Sequence, residues 1–169
     1  PTPPENSAEA LADLAKQIKR WGNELGFQQV GITDTDLAEH QDHYLNWLEN
    51  QHHGEMHYMK DRASMRLEPT LLLPETMSVI SVRMDYFQAE ETDITLLEKA
   101  DQAYISRYAL GRDYHKLIRK RLATLGKKIT EHAEKQLSSA THFRPFVDSA
   151  PVLERAFAQK SHLGWIGKN

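Results

Sequence analysis

The chain has 169 residues, of which 40% are hydrophobic, and this is enough for one compact domain with its own core. Its formal net charge of -3 argues weakly against nucleic acid as the partner of the whole surface, although a local basic patch is compatible with it. Because the sequence has no cysteine, this chain cannot form disulfides or supply thiolate ligands to zinc or to an iron-sulfur cluster.

The N-terminal segment PTPPENSAEA has neither the basic region nor the apolar region of a signal peptide. No apolar run in the chain is long enough to cross a bilayer, and we therefore expect a cytoplasmic protein with no membrane partner. The sequence lacks an initiator Met and stops after LGWIGKN. We expect it to be one domain, residues 1–169, of a longer protein.

The segment NSAEALADLAKQIKRWGNELG predicts an amphipathic helix, with Asn6 and Glu9 as a capping pair and Gly26 as the stop. Its predicted apolar face consists of Leu11, Leu14, Ala15, Ile18 and Leu25. FQQVGIT follows as a short strand. DLAEHQDHYLNWLENQ then predicts a second helix whose inward residues are Leu37, Tyr44, Leu45 and Leu48.

Residues 52–77 predict an irregular loop because Pro69 and Pro74 interrupt regular structure, and SVISVRMDYF after them has the β-branched character of a strand. The acidic stretch QAEETDITLLEKADQ predicts a surface excursion. A long helix is expected over GRDYHKLIRKRLATLGKKITEHAEKQL, with an apolar stripe formed by Leu117, Ile118, Leu122, Leu125 and Ile129.

HFRPFV predicts the last strand, and PVLERAFAQKS predicts the last helix with Pro151 in its first turn. The predicted fold class is therefore α/β (α+β), a small mixed sheet flanked by helices.

Five histidines, His40, His43, His52, His53 and His57, are dense enough to suggest a metal site. Their spacing matches no known metal motif, however, and a solvated polar loop is the better interpretation. We predict no metal ligand in this chain.

The segment from Arg107 to Lys128 carries eight Lys or Arg residues against one Asp, with Tyr108 and Tyr114 among them. Guanidinium groups pair with phosphates and aromatic rings stack on bases, so the segment is compatible with an anionic partner such as RNA. A solvated helix face remains the simpler alternative.

Asp148 stands between the last predicted strand and the last predicted helix. Its position favours a helix cap formed by Asp148 or Ser149. The alternative is a ligand site, because Arg144, Arg155 and Lys168 can converge on the same strand end, where a lone carboxylate among cations suits a proton donor.

Several long segments resemble the N-terminal domain of epoxyqueuosine reductase. They are RYALGRDYHKLIRKRL, FRPFVDSAPVLERAFAQKSHLGWIGKN, HGEM and MRLEPTLLLPETMSVISVRMDYF, and together the resemblance covers nearly the whole chain. It implies a cobalamin-binding domain similar to that of reductive dehalogenases. The ferredoxin-like part with two 4Fe-4S clusters and the helical repeats of the family are absent from this chain, which accounts for the lack of cysteine.

The resemblance implies an oxidoreductase of queuosine biosynthesis. The full-length enzyme would remove the epoxide oxygen of epoxyqueuosine at the wobble position of tRNA, using a reduced electron donor, and the fragment alone would be inactive. Asp148 matches the proposed proton donor, and Arg66 matches a cobalamin contact. Ser106 falls where the family approaches the cobalt, and Arg155 and Lys168 are further candidates for contacts with the cofactor or with phosphate.

The histidine-on cobalamin signature, Asp-x-His-x-x-Gly, is incomplete here because Asp113 and His115 are followed by Ile118 where glycine is required. This agrees with the family, in which no histidine lies beneath the cobalt. Two alternatives remain open: a cobalamin-dependent reductase of another substrate, and a non-catalytic RNA-binding module in which Asp148 is only a cap.

Overall fold

A computed structural model of the chain describes residues 5–86 and 92–167, and within these ranges it contains seven α-helices and two β-strands. The helices are α1 (Glu5–Glu24), α2 (Ala38–Glu49), α3 (His57–Asp61), α4 (Ala63–Leu67), α5 (Thr92–Leu97), α6 (Tyr114–Leu137) and α7 (Glu154–Lys160). The strands are β1 (Gln29–Thr33) and β2 (Val79–Arg83). The predicted α/β class is confirmed. None of the helices in these ranges is both long and apolar enough to span a membrane.

The sheet of the described residues consists of β1 and β2, which are antiparallel and pair Gly31 with Ser81 and Ile32 with Ile80. The third strand predicted over HFRPFV was wrong, because residues 142–147 join no ladder in the described part of the chain. Pro145 has no N–H to donate to such a ladder. Side-chain packing holds this segment instead, since Val147 is buried and Phe143 lies against Gly126.

Helix α1 confirms the first predicted helix, but it begins at Glu5, so Asn6 lies inside the helix and is not its cap. Leu14 and Ile18 are buried as expected, whereas Leu11 is 54% exposed. The helix ends at Glu24, and the chain turns at Gly26, whose φ of 84° is available to glycine at little cost.

Helix α2 lies within its predicted range, and Leu37, Tyr44 and Leu48 are buried while Leu45 faces solvent. The prediction of an irregular loop over residues 52–77 was wrong in part, because α3 and α4 form there before the turn at Pro69. In the predicted excursion over residues 88–102, α5 is helical and residues 87–91 lie outside the described residues.

The long helix α6 packs along α1, and Leu125, Gly126 and Ala133 are its buried residues. Leu117 was predicted to face inward but is 45% exposed. Arg121 fixes the two helices to the sheet end, because its Nη1 donates to the Gly26 carbonyl at 3.3 Å and contacts the Met84 sulfur.

Helix α7 packs on the sheet and places Phe157 in the core, where it is 1% exposed beside Leu37 and Ala156. The close approach of α7 to β1 requires a glycine, since a Cβ at Gly31 would lie 2.5 Å from the Ser161 carbonyl oxygen. The tight packing of α7 fixes the chain that leads into it, which carries Asp148.

Candidate functional site

A cavity of about 360 Å³ lies between β2, the first turns of α6 and the segment that leads into α7. Most of its wall is apolar and includes Val79, Ile118, Leu122, Phe146 and Phe157. The polar side chains among its lining residues are Ser81, Tyr114, Asp148, Glu154 and Arg155. An apolar cavity with a few grouped polar side chains is the usual form of a ligand site.

Asp148 is held at this cavity by Tyr114, whose hydroxyl donates a 2.5 Å hydrogen bond to Asp148 Oδ2. The carboxyl group remains accessible, because 53% of the Asp148 side chain is exposed. The bond to the Asp148 carboxylate raises the pKa of Tyr114 to about 12, since the phenolate would face a negative charge.

His115 lies on the other side of the same carboxylate, with Nε2 at 3.4 Å from Asp148 Oδ2. Its Nδ1 is 2.9 Å from Asp113 Oδ1, and the same Asp113 oxygen accepts the His115 backbone N–H as the cap of α6. The hydrogen bonds from His115 hold the pKa of Asp113 below its ordinary value. The DYH triplet thus orients an imidazole toward Asp148.

The backbone of Asp148 is left-handed, with φ of 54°, and its N–H donates to Glu154 Oε1 at 3.1 Å. The prediction of a helix cap at Asp148 or Ser149 was wrong, because α7 begins only at Glu154 and its N-cap is Leu153. Ser149 Oγ instead accepts a hydrogen bond from Arg119. Asp148 therefore does not cap α7. Instead, the side chain of Glu154, the first residue of α7, accepts a hydrogen bond from the backbone N–H of Asp148.

The structure brings only part of the predicted cation cluster to Asp148. Arg155 lines the same cavity, whereas Arg144 donates to the Leu72 carbonyl at 3.0 Å. Lys168 lies outside the described residues. Among the described residues, the basic side chain near the Asp148 carboxylate is His115, at 3.4 Å.

Arg66 is buried in α4, with 7% of its surface exposed, and its Nε has no hydrogen-bond partner in the described part of the chain. Its guanidinium lies 5.9 Å from the centre of the Tyr58 ring. Burial raises the pKa of nearby Tyr44, and the positive charge of Arg66 opposes this shift. A buried donor without a partner is rare and marks a position where a ligand can supply the acceptor.

Ser106 is exposed and precedes a short 3-10 turn at Arg107–Ala109. Large hydrophobic side chains around it are also exposed, among them Ile105 and Tyr108. The structure does not bring Ser106 into the lining of the cavity that contains Asp148.

The histidines predicted to lie in a polar loop are in part structural. His53 is 7% exposed and its ring is 5.8 Å from the Trp47 ring. Across residues 5–86 and 92–167, no three His, Asp or Glu side chains are grouped as metal ligands.

The basic segment divides into two parts on α6. Arg119, Arg121 and Lys128 bind other parts of the chain, at Ser149, Gly26 and Glu24. Lys116, Lys120 and Lys127 are exposed, and at roughly 100° per residue they fall within about 40° of one another on the helix. We call these three residues the lysine stripe. It lies roughly opposite Tyr114, Ile118 and Leu122, which line the cavity.

Tyr114 and Glu154 are among the side chains of the site that were not identified as site residues from the sequence. Tyr114 was noted only as an aromatic among basic residues, and its contact with Asp148 joins distant parts of the chain. Glu154 is one of three charged residues on the seven-residue helix α7, and nothing in the local sequence indicates its role.

Comparison with known proteins identifies the family. The model of the family described as "Epoxyqueuosine reductase QueG, DUF1730" matches residues 66–149, which include Arg66, Ser106, Tyr114 and Asp148. The epoxyqueuosine reductase of Escherichia coli K12 is 53% identical over 94% of this chain, and that of Pseudomonas aeruginosa is 54% identical over 94%. The chain belongs to the epoxyqueuosine reductase family. It spans 41% and 42% of the lengths of these two relatives.

Solved epoxyqueuosine reductases share this fold. The enzyme from Streptococcus thermophilus superposes with a TM-score of 0.65 at 21% identity, over 90% of this chain and 40% of that one. A reductase crystallised with an epoxyqueuosine-modified tRNA-Tyr stem loop gives 0.64 at 20% identity, over 91% and 39%. The Bacillus subtilis enzyme, solved with an aspartate-containing catalytic loop swung out of the active site, gives a TM-score of 0.58 at 18% identity, over 91% of this chain and 39% of that one.

Proposed function

We propose that the whole protein reduces the epoxide of epoxyqueuosine in tRNA to give queuosine, and that this chain contributes the acid that protonates the departing oxygen. The observation that carries the proposal is the carboxyl group of Asp148 at an apolar cavity, within a chain that is 53% identical to an epoxyqueuosine reductase over 94% of its length. We also propose a cytoplasmic location, since tRNA is the substrate.

The reaction determines how many electrons and protons the site must supply. Removal of the epoxide oxygen as water leaves an alkene and consumes two electrons and two protons. A carboxylic acid within hydrogen-bond distance of the oxygen lowers the barrier because the oxygen leaves as a hydroxyl and not as an alkoxide. Asp148 is suited to this role because its side chain is accessible and because the Tyr114 hydroxyl holds it by a hydrogen bond.

Asp148 must take up a proton before it can act as the acid. In the structure its carboxylate accepts from Tyr114, and a hydroxyl can both donate and accept. The same contact therefore orients Asp148 in both protonation states. The catalytic loop of the B. subtilis enzyme contains an aspartate, which supports a loop position for the acid.

The expected cofactor of the whole protein is cobalamin, and the described residues fit part of such a site. The apolar wall of the cavity suits a corrin edge. Arg66 does not line this cavity, but its buried Nε without a partner suits an amide oxygen of the cofactor periphery. When bound, cobalamin supplies the reductive cleavage of the carbon–oxygen bond. Arg66 and Arg155 would hold it, and we propose Ser106 and Lys168 as further contacts.

The electron route requires the part of the protein beyond this chain. Two 4Fe-4S clusters need thiolate ligands, and this sequence has no cysteine. We propose that the ferredoxin-like part of the full-length protein carries both clusters and receives electrons from a reduced donor. Residues 1–169 then form the cobalamin-binding domain.

The lysine stripe supports binding of tRNA. A solved structural neighbour contains an epoxyqueuosine-modified tRNA stem loop. Exposed lysines on one helix face can neutralise successive phosphates without reading sequence. Because the stripe lies on the far side of α6 from the cavity, we assign it to the tRNA backbone and not to the modified base.

The full-length protein, loaded with cobalamin and reconstituted with its clusters, tests the proposal. It is incubated with a chemical reductant and tRNA that contains epoxyqueuosine, and the digested nucleosides are analysed by mass spectrometry. We expect a product that has lost one oxygen atom and comigrates with queuosine. Unchanged epoxyqueuosine with an intact, reducible protein would overturn the proposal in favour of another substrate. RNA binding without any bound corrin would favour a non-catalytic module.

A further inference from the structure

The backbone of Asp148 adopts a conformation that is uncommon for residues other than glycine. Its φ of 54° lies in the left-handed region, which is disfavoured for residues with a Cβ and is tolerated best by Asn and Asp. Such a conformation persists where neighbouring contacts fix it. At Asp148 the conformation decides the direction of the carboxyl group.

Glu154 provides the contact that fixes it. Glu154 Oε1 accepts the Asp148 backbone N–H at 3.1 Å and closes a loop of residues 148–154. Glu154 is the first residue of α7, and α7 is anchored in the core through Ala156 and Phe157. The acceptor therefore stands on a rigid element, while Asp148 stands on a turn.

The carboxyl group of Glu154 is also adapted to remain beside Asp148. Glu154 is an exposed residue that lines the cavity. Partial burial of its carboxyl and the charge of Asp148 raise its pKa, and the hydrogen bond from the Asp148 backbone opposes this rise. Uptake of a proton by Glu154 reduces repulsion between the two carboxyl groups. Its carbonyl oxygen can accept the Asp148 N–H in either protonation state.

We propose that Glu154 is a positioning residue for the acid: it holds Asp148 in the left-handed turn and so aims its carboxyl at the reacting oxygen. The catalytic part of this inference rests on the proposed function. The conformational part does not, and it can be measured separately.

Hydrogen exchange in the full-length protein measures the conformational part. Glu154→Ala removes the acceptor, and we expect the amides of residues 147–150 to exchange at least 10-fold faster than in wild type. Glu154→Gln keeps an amide oxygen as acceptor and should restore most of the protection. Gln159→Ala, on the exposed face of the same helix, is the matched control. Wild-type protection in Glu154→Ala would overturn the inference whether or not the enzyme is active.

A double-mutant cycle measures the catalytic part. In single turnover, Glu154→Ala should lose rate roughly 10- to 100-fold with unchanged tRNA affinity, the scale expected when a reacting group is displaced by about 1 Å. Glu154→Gln should recover most of the rate. In an Asp148→Asn background, Glu154→Ala should cost nothing further, because its effect passes through Asp148.

Two outcomes would contradict the inference while leaving the proposed function intact. One is full activity of Glu154→Ala, and the other is an equal loss of rate in the wild-type and Asp148→Asn backgrounds. A thermal midpoint near that of wild type shows that the variants are folded. If the wild-type enzyme does not reduce epoxyqueuosine at all, the proposed function fails and the exchange experiment alone decides the role of Glu154.

Discussion

Tyr114 and Asp148 are joined by a 2.5 Å hydrogen bond between side chains that stand 34 positions apart in the chain. Tyr114 opens α6, and Asp148 lies on the turn that leads into α7. The bond therefore joins two of the segments that line the cavity. The candidate acid is thus oriented by the tertiary packing of α6 and not by its own helix.

Asp148→Asn tests the acid directly. Asn tolerates the left-handed conformation about as well as Asp, so the fold and the tRNA affinity should be retained. An amide cannot deliver the proton, and we expect single-turnover reduction by the full-length enzyme to slow by roughly 100-fold or more.

The control for this change is Asp13→Asn on α1, where the carboxylate is exposed and paired with Lys16. It should react at the wild-type rate. A near wild-type rate for Asp148→Asn would show that the acid lies elsewhere.

The Tyr114 hydroxyl should titrate unusually. Its pKa is raised from 10.0 to about 12 by the Asp148 carboxylate, so NMR titration should show the ring carbons of Tyr114 titrating near 12. In Asp148→Asn the same resonance should move back toward 10, because the negative charge is gone.

The raised pKa of Tyr114 makes the stability of the fold depend on pH. Since the folded pKa of Tyr114 is raised, the contact stabilises the fold fully below pH 10 and its contribution is lost as the pH rises through about 12. Unfolding by urea should therefore show a difference between wild type and Tyr114→Phe that shrinks in alkali. A difference that grows with pH would contradict the assigned hydrogen bond.

The lysine stripe should affect RNA binding and leave cofactor binding unchanged. Replacing Lys116 and Lys120 by Ala in the full-length protein should weaken tRNA binding and reduce the slope of log affinity against log salt by roughly one to two. Bound cobalamin should be unchanged.

Lys16 and Lys19 on α1, changed to Ala together, provide a control of equal charge on another exposed surface. If both pairs alter the slope equally, the effect reports net charge and the stripe has no special role.

Arg66→Met tests whether the buried guanidinium binds the cofactor. The substitution keeps an unbranched chain in the buried position but removes the donors, including the Nε that has no partner in the described residues. Loss of a charge-assisted hydrogen bond should weaken cobalamin binding by the full-length protein roughly 10-fold or more. Titration of the apoprotein followed by corrin absorbance measures this, with exposed Arg62→Met as the control. Unchanged affinity would assign Arg66 to packing alone.

Gly126→Ala tests the packing that holds residues 142–147 without a β-ladder. A Cβ at this position would lie 2.3 Å from the Phe143 ring, so the ring must move. The gain in helix propensity offsets part of the cost, and we expect a net loss of roughly 1–2 kcal/mol in the free energy of unfolding. Gly164→Ala, where a Cβ meets no atom within 4 Å, should change it by less than about 0.5 kcal/mol. Equal effects would show that Phe143 does not need this surface.

The helices that pack through one face were predictable from the sequence because their apolar residues recur with the period of the helix. Leu14, Ile18 and Leu125 are buried as that period requires. Leu11, Leu45 and Leu117 were predicted to be buried but are exposed. Leu11 and Leu117 lie at the ends of their stripes, and Leu45 lies between the buried Tyr44 and Leu48. Periodicity shows which residues share a helix face, but it does not show how much of that face the neighbouring element covers.

The sequence also determined the family and drew attention to Asp148, because those signals lie in contiguous residues. It could not determine what holds Asp148, since Tyr114 reaches it from α6 and Glu154 reaches it from the following helix. The predicted cap failed for the same reason: Asp148 has the local chemistry of a cap, but the tightly packed α7 begins only at Glu154. Local propensity governs which conformations a segment favours, whereas the orientation of a functional side chain depends on contacts between segments that meet only when the core forms.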